Sequence, residues 1–267
     1  MKLMKKYLKY FLTNFHEEAT YKADFIFFVG TEVIFFVVFY FIWTNVYLKG
    51  GISEISNFSL SSTITYYFLA GLLFRMNPGL GIYLNRAIWN GELTNEISKP
   101  FSVKLVYLVS ALSLMAVQLI AYLPFAALIL LFVSKYIIFV SFSNLLYFIL
   151  AMAMSSLLGI TFYLFLHSLC FHFGDQDANL SLMDYLIAFV GGALFPLSFL
   201  PPRLYEFFSY LPFKYLFDFP ANIYLGNISG RGMWMGFAEM IIWTAIFFCV
   251  YYLSFHAGLK KYAAIGR

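Results

Sequence analysis

The chain has 267 residues and a formal net charge of +4 at neutral pH; 62% of it is hydrophobic, 22% aromatic and only 11% charged. A soluble globular domain carries about 25% charged residues, so an ordinary cytosolic fold is excluded. Apolar stretches run from end to end and leave no block polar enough to fold separately in water, so residues 1–267 read as one all-α membrane domain.

Residues 1–22 are basic and polar. Met4, Tyr7, Leu8, Phe11, Leu12 and Phe15 recur at helical spacing, while Lys5, Lys6, Lys9, Thr13 and His16 fall largely on the other side. The pattern predicts an amphipathic helix in the inner interface with its lysines toward anionic headgroups, against the alternative of an unstructured basic tail. The apolar run that follows has no small-residue cleavage site behind a short core, so it is expected to stay as an anchor.

A helix needs roughly 20 apolar residues to cross a hydrocarbon core about 30 Å thick. Six stretches meet that test: 25–48, 58–74, 105–133, 145–173, 185–200 and 237–255. The fifth is short and interrupted by Gly191, Gly192 and Pro196, and such a break belongs against protein or at an interface, because lipid satisfies no free backbone group. Between the second and third spans, residues 85–104 form a polar stretch longer than a reversal of direction requires. Residues 86–97 are expected to form one short helix broken near Gly91, with Glu92 and Glu96 four apart and Pro100 as a stop; a solvated connector is the alternative. The outer region 201–234 is rich in Pro, Phe and Tyr, which suits short re-entrant helices half immersed at the interface.

Lys and Arg set the orientation. With the N-terminus inside, the inner side holds Lys2, Lys5, Lys6, Lys9, Lys22, Arg75, Arg86, Lys99, Lys104, Lys260, Lys261 and Arg267, and the outer side Lys49, Lys135, Arg203, Lys214 and Arg231. This asymmetry favours a cell-membrane protein with both termini in the cytoplasm.

Within the spans, Glu32 sits roughly 10 Å from the inner end, too deep for a carboxyl to reach bulk water, so it should face another helix or a pathway. A substrate or dimer contact and a local Ser, Thr or Tyr partner are both open. Gln118 and His167 read as helix-packing groups with a pathway role as the alternative. Cys170 and Cys249 read as small buried hydrophobes. His167 and His172 are five apart, on different faces of a helix, and Asp175 and Asp177 suit a helix cap. No catalytic residue, metal site or cofactor site is expected in this chain, and no nucleic-acid partner.

Six spans, an amphipathic first helix, a cytoplasmic loop after span two and re-entrant helices before span six together resemble a type-2 ABC (ATP-binding cassette) exporter permease. Two motifs sharpen the likeness. Arg86-Ala-Ile-Trp-Asn-Gly-Glu-Leu followed by Ile97-Ser-Lys-Pro-Phe resembles the family's I-x-x-G-x-(I/L)…(L/R/K)-P segment, and Leu211-Pro-Phe-Lys-Tyr, Pro220 and Leu225-Gly226 resemble its L-P-F…P…G segment. The resemblance implies two permease subunits, identical or related, forming a transmembrane pathway among membrane lipids. Each would dock a separate ATP-binding subunit through a coupling helix comprising Arg86, Asn90, Gly91, Glu92, Leu93, Glu96, Lys99 and Pro100. ATP and Mg would sit on that partner, whose closure would tilt spans one, two and five. The chain has no GxxxxGK[ST] phosphate loop, and Gly-Lys never occurs. Its cargo would be a peptide, lipid or drug. Two alternatives are an ATP-independent secondary carrier, although only one span is broken and no repeat is visible, and a membrane-embedded lipid-modifying enzyme built on His172, Asp175 and Asp177.

Overall fold

The computed structural model describes residues 2–20, 22–77, 79, 83–97, 102–174 and 177–265. Helices dominate: α1 (Lys2–Thr20), α2 (Lys22–Thr44), α3 (Leu60–Arg75), α4 (Leu84–Trp89), α5 (Leu93–Ile97), α6 (Val103–Val133), α7 (Phe142–Ser168), α8 (Cys170–Phe173), α9 (Asp177–Val190), α10 (Pro202–Ser209), α11 (Asp218–Tyr224) and α12 (Gly230–Ile265). The protein is an all-α membrane protein. Among the described residues, four stretches are long and apolar enough to cross a bilayer: Gly30–Lys49, Leu105–Tyr136, Phe142–Phe173 and Gly230–Tyr262. Helix α3, with 16 residues, and α9, with 14, are shorter than the roughly 20 residues a hydrocarbon core demands.

Helix α7 is the centre of the molecule. Half of its spanning stretch is buried, against 11% to 22% in the other three. It packs along α12 and also against α11 and α4, and small residues on its buried face, Ala151, Ser155, Ser156 and Gly159, let neighbours approach. A second apolar group joins α2, α3 and α6 through Phe36, Ile64, Tyr122, Phe125 and Ile129. The outward side of α2, with Ile34, Phe35, Val38 and Phe41, is exposed. An all-round apolar helix of this kind faces lipid or another subunit rather than water.

The boundaries drawn from sequence shift in two places. Span two starts at Leu60, not 58, because Phe58–Ser59 pairs antiparallel with Glu54–Ile55 around Ser56 and Asn57, both at positive φ. Ser59 then caps α3 by accepting from Ser62 N–H at 3.2 Å. The last helix begins at Gly230, inside the expected outer region, and its 36 residues extend roughly 54 Å, well beyond a bilayer core. Helix α1 runs along the first half of α6, where Asn14 Nδ2 donates to Ser110 Oγ at 3.0 Å and Ser113 Oγ to Phe11 O at 3.2 Å.

Candidate functional site

The loop after α3 is built as two short helices on a buried base. Leu84, Ala87 and Ile88 of α4 and Leu93 of α5 point into the main core, with Leu84 and Leu93 fully buried. Tyr83, Arg86, Trp89, Asn90, Glu92 and Ile97 face outward, and Glu96 is half-buried. Gly91 breaks the helix at φ +82°, a left-handed conformation that favours glycine. Lys99 and Pro100 lie outside the described residues.

Two supports hold this base. The C-terminal end of α12 supplies one: Thr94 Oγ1 lies 3.2 Å from the Tyr262 hydroxyl, and the Phe171 ring packs between Phe255 and Tyr262. Gly258 makes room for that ring, since a Cβ there would stand 2.4 Å from it. Helix α7 supplies the other. His167 is buried, with Nδ1 2.7 Å from the Asn85 side-chain amide oxygen and Nε2 3.0 Å from the Gly79 carbonyl. Cys170 is buried as expected, and its thiol donates to the Asn85 carbonyl at 3.4 Å, whereas Cys249 on α12 is exposed rather than buried.

The other polar residues singled out from sequence lie apart from this loop. Glu32 pairs with Arg75 at 2.6 Å, both side chains largely buried. Its partner is therefore a cation at the end of α3 rather than a hydroxyl. Gln118 on α6 is half-buried and makes no hydrogen bond among the described residues.

The segment 211–226 is packed into protein more deeply than a half-immersed loop would be. Pro212 and Pro220 are buried, Leu211 and Phe213 half-buried, and Gly226 is exposed at φ +79°. Asp218 organises the region: its Oδ1 accepts from Leu197 N–H and from the Tyr66 hydroxyl, both at 3.0 Å, and its own N–H donates to Gly191 O at 3.2 Å. Tyr66 also donates to Gly192 O at 2.7 Å. The break in α9 is thus satisfied by α3 and the re-entrant segment, which is how an irregular backbone survives at membrane depth.

Sequence reasoning missed Asn85, Tyr163, Asp184, Tyr66 and Asp218. Tyr163 donates to Asp184, which lies one residue ahead of the fifth span as drawn from hydropathy. An isolated Tyr or Asp carries no spacing signal; only the partner across the bundle identifies it. Among the described residues no three His, Cys, Asp or Glu side chains are placed to hold a metal.

Long apolar helices around a buried central one, with a loop of two short helices at one end, define a multi-pass membrane protein. A family model described as ABC-2 family transporter protein matches residues 33–266. The chain belongs to that family and is a transmembrane permease. No curated protein matches it.

Proposed function

We propose that this chain is the permease subunit of an ATP-driven exporter, and that the loop from Tyr83 to Ile97 docks a separate ATP-binding subunit. The observation that carries the reading is the two-sided build of that loop: Leu84 and Leu93 are locked in the core, while Tyr83, Trp89 and Ile97 stay between 43% and 49% exposed. Aromatic and apolar side chains held outward on a polar loop suit a protein partner. The partner would carry ATP and Mg, and family membership implies such a subunit.

In this reading the loop faces the cytoplasm with both termini, and a second permease, identical or related, covers the exposed apolar face of α2. Asn90, Gly91, Glu92, Lys99 and Pro100 belong to the docking region, and Glu32, Gln118 and His167 are the intramembrane polar groups nearest to a role in transport. The cargo class is an amphipathic peptide, a lipid or a drug.

Purification of the intact chain from its native cells in mild detergent tests the proposal. An ATPase should co-purify, and Trp89→Ala with Tyr83→Ala should reduce its capture while the permease itself remains monodisperse. A chain that purifies alone under gentle conditions overturns the docking assignment.

A further inference from the structure

Gly159, Tyr163 and His167 stand four residues apart on α7 and therefore form one stripe along the helix. Against this stripe lie Asn77 and Gly79, between α3 and α4. A Cβ at Gly159 would stand 2.0 Å from Asn77 Oδ1, and one at Gly79 would stand 2.7 Å from Asp184 Oδ1 and 3.1 Å from the Tyr163 ring. His167 closes the arrangement by holding Asn85 of α4 at one ring nitrogen and Gly79 at the other. Asn85, His167, Gly79, Tyr163 and Asp184 thus make a continuous chain of contacts from the coupling loop, through α7, to α9.

The chemistry of the contact makes it rigid. A neutral imidazole has one donor and one acceptor. The Asn85 side-chain oxygen and the Gly79 carbonyl both face ring nitrogens as acceptors; a neutral ring donates to one of them from its single N–H, and turning the Asn85 amide to present its NH2 to Nδ1 lets it bond both. In a buried, low-dielectric setting such bonds are costly to leave unmade, so the linked groups move together rather than separately. Helix α9, 14 residues long and broken at Gly191, is the short element at the far end of that linkage.

We infer that His167 and Asn85 are positioning residues that transmit displacement of the α4–α5 loop into α7 and α9. The inference rests on the assignment of that loop as the docking site. An ordinary buried histidine would contribute to stability alone. A transmitting one must also govern whether nucleotide-driven movement reaches α9.

The test uses the full permease with its co-purifying ATPase, on a Cys249→Ala background. Spin labels are placed at Leu182→Cys on α9 and Ile120→Cys on α6, both exposed side chains outside the linkage. In the otherwise wild-type complex, trapping with Mg-ATP and vanadate should shift the distance between the labels. His167→Ala, on α7 outside the docking loop, should retain the co-purifying ATPase and its hydrolysis of ATP while losing that shift, and Asn85→Ala should lose the shift as well. His167→Gln, which keeps a side-chain amide able to bond one of the two partners, should restore part of it.

An unchanged shift in His167→Ala or in Asn85→Ala overturns the inference alone. So does the absence of any nucleotide-dependent shift in the wild-type complex. If His167→Ala does not fold, Asn85→Ala and His167→Gln decide the matter by the same readout. Failure of any ATPase to co-purify with the wild-type chain removes the docking assignment, and the inference with it.

Discussion

Glu32 and Arg75 show what a single residue costs at membrane depth. Each is largely buried, and their 2.6 Å contact replaces the water that both have lost. Removing one partner leaves the other charge uncompensated, a loss of about 3–5 kcal/mol for buried pairs. Glu32→Ala and Arg75→Ala should each lower the thermal unfolding midpoint in detergent, whereas the double variant Glu32→Leu/Arg75→Leu should retain more stability than either. A double variant worse than both singles would show that the pair holds something beyond its own charges. Gly192 makes a second residue-scale case. It adopts φ +88°, and a Cβ there would lie 2.8 Å from the Tyr66 hydroxyl. Gly192→Ala should destabilise the fold by at least the roughly 1–2 kcal/mol of a left-handed residue. Gly232→Ala, with nothing within 4 Å, is the control expected to leave the midpoint unchanged. The glycines themselves were visible in the sequence as a break in span five. The reason for the break, Asp218 and Tyr66 meeting across the bundle, was not, because their partners lie 21 to 152 positions away in no regular pattern.

At the scale of elements, the break between α4 and α5 was foreshadowed in the sequence. A glycine between two short amphipathic turns implies a break, and Gly91 supplies it at φ +82°. Gly91→Ala should weaken capture of the ATP-binding partner. Gly91→Asn should be tolerated better, because asparagine enters the left-handed region more readily. The seam between α8 and α12 was not foreshadowed at all. Gly258 is a small residue in an apolar helix, and only the Phe171 ring against it explains the position. Gly258→Val should push that ring aside and loosen the contact of Tyr262 with Thr94. On a Cys249→Ala background, maleimide labelling of Cys170, buried in the native packing, should then become measurably faster. Labelling as slow as in the parent would mean that the seam accommodates the added methyl groups.

For the whole molecule, packing divides into two apolar groups. One surrounds α7 and includes α12, α11 and the α4–α5 loop; the other centres on α2; α3 and α6 contribute to both. The α4–α5 loop packs with the group around α7, while the outward face of α2 is exposed. Native mass measurement of the purified complex should accordingly find two permease chains, and substitution of Phe35 and Phe41 by serine should shift the population toward complexes containing one. The sequence by itself determined that this is a helical membrane protein, where its long apolar runs lie, and which polar loop breaks at a glycine. Those properties follow from hydropathy and local backbone preference, which are written in neighbouring residues. The tertiary structure alone decided that Glu32 meets Arg75, that Asp218 bonds the chain where α9 ends, and that His167 ties the α4–α5 loop to the central helix. Each of these depends on which helix faces which, and in an apolar solvent that choice is made by side-chain fit and hydrogen-bond satisfaction between distant segments, quantities that no local period encodes.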